Sequence, residues 1–291
     1  MPLGRRPSAR ALGLNLRSCS YKMEPGILPV RIGGLGNQIF IVIAAYITAK
    51  IRKVPLYIKD MVCEAHQTVK EDYSRSIFSF CRRIIDDPYY TPFSPDGFSS
   101  WSPYEVGPGT AMTSYFQYYP ILAPYEEEIR GVLLTGLETY RKTAGMRGKG
   151  CAFLHVRRGD YLKIPHIHYV QPIDYYVRAV DRLPQGVKIL IFSDDMEWVE
   201  NQEFFQGERF ELVRGDELEN LALMSLCTEG AVCSNSTFSW WGAFLGPYSR
   251  RSPVVVPARW INPQCVNSEN WGSVHGIKVP PLFPEDWIIL P

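Results

Sequence analysis

The sequence predicts an α/β fold of two Rossmann-like lobes facing a central cleft, and two observations carry that expectation. From Cys151 to Val256, short apolar runs alternate with helix-patterned segments, the signature of a doubly wound parallel sheet. Near the start, an apolar run, a glycine-rich break, a long apolar helix and a second apolar run read as the opening of another βαβ unit. At 291 residues the chain is long enough to give each lobe its own core.

The elements follow in order. Residues 1–26 are expected to form a flexible leader ending at Pro25-Gly26. Arg5, Arg6, Arg10 and Arg17 make it basic, and its apolar pieces, such as Ala11 to Leu14, are too short for a secretory signal core. An organelle-targeting peptide is the alternative. The first lobe is expected over 27–145: a strand at 27–32, a glycine turn at 33–38, a buried helix at 39–49 and a strand at 54–58. Residues 86–124, rich in Pro, Tyr, Ser and Gly, predict irregular structure, and Glu126 to Thr143 predicts one helix. Gly145 to Gly150 reads as a linker, and the second lobe spans 150–291. Within that lobe, strands are expected at 151–156, 188–192, 210–213, 230–233 and 253–256. Helices are expected at 172–183, 195–205, 217–227 and 236–245.

Composition narrows the function. A formal net charge of +1 gives no electrostatic reason to expect nucleic acid, so an anionic ligand needs a local basic group. The most apolar helical stretch, Ile39 to Ile47, is about half of the roughly 20 residues that cross a bilayer, which leaves peripheral association as the only membrane contact expected. The seven cysteines are scattered without a CxxC pair, so they predict reduced core residues and a cytoplasmic address.

Four polar clusters fall where predicted strands end, the place ligands bind in parallel α/β sheets. Gly33-Gly34-Leu35-Gly36-Asn37-Gln38 brings backbone amides and a helix start near an anion, or is simply a tight turn. His155-Val156-Arg157-Arg158-Gly159-Asp160-Tyr161 offers two guanidiniums suited to phosphate oxygens, the alternative being ion pairs with Asp160. Ser193-Asp194-Asp195 offers a carboxylate for a ribose or base edge, or a helix cap, or both. Ser234-Asn235-Ser236-Thr237 opens a helix with hydroxyls suited to a diphosphate. Trp240 and Trp241 behind it read as packing residues, and the sequon Asn235-Ser236-Thr237 reads as accidental. No metal-ligand set is apparent: Asp86-Asp87 and Asp194-Asp195 lack the spaced Asp-x-Asp pattern, and His166-x-His168 reads as an ordinary loop.

With these motifs in view, the chain resembles the α-1,2-fucosyltransferases of glycosyltransferase family 11. The resemblance rests on Gly-Gly-Leu-Gly-Asn-Gln at 33–38, His-x-Arg-Arg-Gly-Asp-Tyr at 155–161, Phe-Ser-Asp-Asp at 192–195 and Asn-Ser-Thr-Phe-Ser-Trp-Trp-Gly at 235–242, in order over about residues 28 to 262. It implies a GT-B fold, GDP-fucose as co-substrate, inversion at the anomeric carbon, no cofactor or required metal, and a galactose-terminated glycan as acceptor. Arg157 and Arg158 would bind the diphosphate with His155 beside them. Asp194 or Asp195 would contact guanosine, and Ser236 and Thr237 the phosphates. Gly34, Asn37 and Gln38 would close over the donor. Arg158 would stabilise the leaving group, and Asp160 would be either the general base or the group that orients Arg158. The rivals are a GDP-fucose transferase of α-1,6 or protein-O linkage and a non-catalytic sugar-nucleotide binder. Family members with a membrane anchor would reside in the Golgi lumen, the alternative to a cytoplasmic address. Aromatic residues between Tyr89 and Tyr125 would contribute to an acceptor surface or to a satellite core.

Overall fold

The computed structural model describes residues 23–60, 73–85, 90–248 and 252–291. Most of the expected leader, together with Cys19, Cys63, Asp86, Asp87 and Tyr89, lies outside the described residues.

The first sheet begins with β1 (Ile27–Pro29), which runs through the glycine turn into α1 (Leu35–Arg52). The helix starts a turn earlier than its apolar run because the glycine segment itself supplies the first turn. It is buried on nearly all sides, as a helix apolar on every face must be. Next come β2 (Tyr57–Lys59), β3 (Arg82–Ile84), β4 (Thr91–Phe93) and β5 (Thr110–Met112). β1 pairs in parallel with β5, β5 with β4, and β2 with β3. A parallel bridge between Ile27 and Leu56 sets β2 beside β1. The strands therefore run in the order β3-β2-β1-β5-β4, with the direction of build reversing between β1 and β5.

The stretch from 86 to 124 is thus not wholly irregular. It carries β4, with Pro92 at its centre, and β5, two three-residue strands too short for a period-2 reading. Beyond it, α2 (Tyr119–Leu122) leads to α3 (Glu126–Gly136) and α4 (Glu138–Ala144). The single helix expected there breaks after Gly136, where a Cβ would sit 2.7 Å from Ile77 Cα.

The second sheet is formed by β6 (Cys151–Val156), β7 (Lys188–Ser193), β8 (Phe210–Leu212), β9 (Ala231–Val232), β10 (Val254–Pro257) and, after the hairpin β11 (Gly272–Val274) and β12 (Ile277–Val279), β13 (Ile288–Leu290). Its order is β13-β10-β9-β6-β7-β8, parallel throughout. Counted from β6, this is the doubly wound order 3-2-1-4-5-6, so the crevice that binds ligands in such sheets opens between β6 and β9. Both are fully buried, in keeping with the unbroken apolar runs of central parallel strands. Between the strands lie α5 (Ile173–Val180), α6 (Met196–Glu200), α7 (Glu217–Met224) and α8 (Thr237–Leu245). Asp216 and Glu219 close a reciprocal capping box on α7.

The lobes share their largest apolar cluster. Phe40 of α1 packs against Trp240 and Trp241 of α8 at centroid distances of 4.8 and 4.7 Å, and Trp260, Trp271 and Leu282 join the same cluster. Both tryptophans are packing residues, their indole N–H groups donating to Leu282 O and Gly36 O at 3.0 Å. Cys81, Cys151, Cys227 and Cys233 are buried thiols, whereas Cys265 is exposed, its thiol 3.3 Å from His166 O.

Candidate functional site

The two points where strand order reverses meet each other. In the second lobe, residues 157–160 leave β6 and residues 233–236 leave β9 to begin α8. In the first, the glycine turn leaves β1 and residues 113–117 leave β5. Asn37, in the first turn of α1, joins the two: its Oδ1 accepts from Thr237 Oγ1 at 2.9 Å and from Gln117 Nε2 at 3.0 Å. The start of α1 sits directly on the start of α8, since a Cβ at Gly36 would fall 2.5 Å from Phe238 N. Neither helix carries an acidic residue in its first turn. Two helix ends, each with partial positive charge, therefore converge with no carboxylate in either first turn to neutralise them.

Two guanidiniums follow β6, in the loop that Tyr161 ties to Asn235 O, just ahead of α8. Arg157 is held by Asp160 Oδ1 at 2.7 Å and Asp194 Oδ2 at 3.2 Å, and lies over the ring of Tyr161 at 5.4 Å. Burial opposes its charge, but Asp194 and Asp160 outweigh that and hold its pKa above the ordinary value. Arg158 donates from Nε to Asp195 Oδ2 at 3.0 Å and stacks on Trp198 at 4.1 Å. Its side chain remains 16% exposed, and its terminal nitrogens have no hydrogen-bond partner among the described residues.

The aspartates are committed to shaping this loop. Asp194 Oδ1 accepts the Arg158 backbone N–H at 2.9 Å, and a Cβ at Gly159 would lie 2.5 Å from Asp194 Oδ2, so glycine is needed for that approach. Asp195 caps α6 through Trp198 N at 3.1 Å as well as holding Arg158. The helix-cap alternative thus holds for Asp195, and the ion-pair alternative holds between Arg157 and Asp160.

Other predicted site residues support the site from behind. His155 is 5% exposed, with Nδ1 3.0 Å from Ser234 Oγ, and burial first, then the nearby Arg157 charge, lowers its pKa to about 3. It is a neutral brace between β6 and β9. Gln38 is completely buried and donates to Gly33 O at 2.9 Å, so it braces the glycine turn and does not face the cleft. Ser236 caps α8, accepting from Phe238 N at 3.3 Å. Gly34 has open space where a Cβ would be. Asn235 is 2% exposed and its amide donates to Tyr169 O and Trp260 O, both at 2.8 Å, so its sequon is unavailable for glycosylation.

A family model, Glycosyl transferase family 11, matches residues 122–270. The chain belongs to that family. Among curated relatives, the O-antigen biosynthesis glycosyltransferase WbnK of Escherichia coli is 32% identical over 189 residues, 57% of this chain and 61% of that protein. An α-1,2-colitosyltransferase of Escherichia coli is 30% identical over 125 residues, 40% of this chain and 42% of that protein. The chain thus matches about three fifths and two fifths of the lengths of these relatives. Among solved structures, NodZ α-1,6-fucosyltransferase co-crystallized with GDP aligns at a TM-score of 0.50 and 12% identity, over 77% of this chain and 93% of that one. The Bradyrhizobium NodZ structure aligns at 0.50 and 13%, with the same coverage. The fold of this family 11 chain is the GT-B type.

Some participants escape sequence reasoning. Trp198 lies 40 residues from Arg158, and only the β7–α6 turn brings its ring beneath the guanidinium. Gln117 sits in the stretch expected to be irregular. His168, which the sequence places in an ordinary loop, stacks on Tyr161 with centroids 4.0 Å apart, while Tyr161 donates to Asn235 O at 2.9 Å. The tyrosine was legible as part of the arginine motif. Its stacking partner carried no signal. Among the described residues, no three His, Cys, Asp or Glu side chains gather as a metal-binding group, and no helix is long and apolar enough to cross a membrane.

Proposed function

We propose that this chain transfers L-fucose from GDP-fucose to the 2-hydroxyl of a galactose at the end of a glycan, with inversion and without a required metal. The observation that carries this reading is the convergence of the α1 and α8 N-termini at the two switch points, with no acidic residue in either first turn and the arginine loop leaving the adjacent strand β6. A diphosphate is the ligand class such a place suits. Family membership supports a sugar nucleotide as its bearer. The name of the α-1,2-colitosyltransferase supports the 1,2 linkage, and the O-antigen relative supports a polysaccharide acceptor over a protein.

In this reading the β-phosphate lies against the amides that open α8 and the terminal nitrogens of Arg158. Negative charge grows there as the fucosyl–oxygen bond lengthens, and fixed donors aimed at developing charge lower the barrier without reorganising. Arg157, pinned between Asp160 and Asp194, shapes the loop that presents Arg158. Asp160, ion-paired with the Arg157 guanidinium, serves in this reading as a positioning residue for the loop and not as the general base. Gly34 allows the donor to approach the glycine turn closely.

The test is transfer from GDP-fucose to galactose-ended acceptors in the presence of EDTA, with linkage analysis of the product. Fucose on the galactose 2-position supports donor, linkage and metal independence together. Tight GDP binding without product would leave the donor half standing and remove the acceptor half. Absence of GDP binding would remove the whole reading.

A further inference from the structure

A second cavity, of about 360 Å³, lies beside the meeting point of the lobes. One wall is the loop carrying Phe98 and Ser100, together with Tyr118. The other is the segment carrying Asn267, Asn270 and Trp271. The walls are tied together. Phe98 and Trp271 meet edge to face with centroids 5.2 Å apart, and Asn267 N lies 3.4 Å from Asp96 Oδ2. The cavity is also tied to the donor side. Gln117, which holds Asn37, donates its backbone N–H to Gly97 O at 2.7 Å, so the residue gripping the lobe junction is clamped to the cavity's own loop.

The chemistry of the lining selects a ligand class. No charged side chain lines the cavity, which argues against a second nucleotide or phosphate. Three aromatic rings offer apolar faces, while the serine hydroxyls and asparagine amides offer donors and acceptors. The hydroxyls of Ser99 and Ser100 and the amide of Asn270 enter no hydrogen bond among the described residues. The buried indole N–H of Trp271 likewise lacks an acceptor there. A ligand with apolar C–H faces and many hydroxyls satisfies both halves of this lining, and the volume falls at the small end of the roughly 300–1,000 Å³ typical of ligand sites. We propose that this cavity binds a neutral sugar ring of the acceptor glycan, an inference that rests on the glycosyl-transfer reading above.

The experiment is saturation-transfer NMR on the whole chain with the methyl glycosides of galactose, glucose and N-acetylglucosamine, in the presence of GDP. GDP affinity is measured separately by calorimetry. Expected is saturation transfer to at least one glycoside, its loss in Ser100→Trp, which fills the cavity from an exposed loop position, and roughly tenfold weaker binding in Asn270→Ala. GDP affinity should be the same in all three proteins. Lack of binding by every glycoside to the wild-type chain would overturn the proposal. So would an undiminished signal in Ser100→Trp or, should that variant misfold, in Asn270→Ala. Loss of GDP binding in the wild-type chain strikes instead at the donor reading, so the two failures are told apart.

Discussion

Gly34 and Gly36 differ by two positions, and the structure gives them opposite duties. At Gly36 an added Cβ would lie 2.5 Å from Phe238 N and Thr237 C and 2.6 Å from Thr237 Oγ1, whereas ordinary contacts begin near 3.4 Å. The obstructing atoms are mostly backbone at the start of α8, so the strain relaxes only if α1 and α8 part by most of an ångström. That movement also stretches the 3.0 Å bond from Trp241 Nε1 to Gly36 O, between two buried groups. Gly36→Ala should therefore destabilise the protein by about 1–3 kcal/mol, toward the upper end if the indole loses its partner. Gly34 has nothing within 4 Å of its virtual Cβ and a φ of −67°, which alanine adopts freely. Gly34→Ala should leave stability within about 1 kcal/mol, the exchange of glycine for alanine at an N-cap. Its cost should fall on GDP affinity, because the methyl occupies the space through which the donor approaches. Urea unfolding followed by tryptophan fluorescence, with GDP calorimetry on both variants, separates the two effects. A Gly36→Ala protein as stable as wild type would refute the helix-on-helix contact. A Gly34→Ala protein with unaltered GDP affinity would remove the glycine turn from the donor site.

Three further outcomes follow from the same geometry. Arg158→Ala should lower the rate of transfer by about 10²–10³-fold, the usual cost of one donor to developing charge, with the fold intact by circular dichroism; a loss under tenfold would exclude Arg158 from leaving-group stabilisation. Asp160→Asn keeps a carbonyl oxygen for Arg157, so transfer should fall less than about tenfold with an unchanged pH–rate profile, whereas a general base would lose about 10²–10⁴-fold. His155 is held neutral in the fold with a pKa near 3 but is protonated below about 6.5 when unfolded, so the unfolded chain binds the extra proton between those values. The stability this group contributes is fully present above pH 6.5 and is lost as pH falls toward 3, at up to about 1.4 kcal/mol per pH unit. Urea midpoints for wild type and His155→Gln should therefore draw closer between pH 7 and 5, and parallel curves would contradict it.

What the sequence made legible divides along physical lines. The second sheet was readable because its central strands are buried on both faces: Cys-Ala-Phe-Leu-His-Val at β6 and Lys-Ile-Leu-Ile-Phe-Ser at β7 are apolar runs flanked by helix patterns. α1 was readable because a helix buried all round must be apolar all round. The strands that escaped are short and sit at edges or beside loops. β3 shows two exposed arginines in three residues, and β4 contains Pro92. Their pairing is decided by β2 and β5, not by their own composition. The site follows the same rule. Candidate residues next to long strands can be proposed from the sequence, because strand ends can be located. Trp198, Gln117 and His168 cannot be, because each reaches the site through a turn whose course no local pattern states. The aspartates were located but their roles were not, since a carboxylate after a strand can face a ligand, cap a helix or hold an arginine. Only distances choose among these.

The distances also change how an anion would be held. Two guanidiniums face three carboxylates, Asp160, Asp194 and Asp195, so the arginine loop taken alone carries one negative charge in excess. A loop of that charge would repel a diphosphate at long range. Attraction must then come from groups with no counter-charge, and those are the first turns of α1 and α8. Arg158 contributes only through the ends of its fork that Asp195 does not occupy, and Trp198 keeps those ends in one plane. The carboxylates therefore serve direction more than affinity. They fix two mobile side chains in place before the ligand arrives, so that less rotamer freedom remains to be lost on binding. It follows that removing Asp195 should spread the orientations of Arg158 and slow transfer, while GDP affinity changes little because the lost preorganisation is offset by the loss of one repelling charge. An arginine whose main duty was binding would show the reverse.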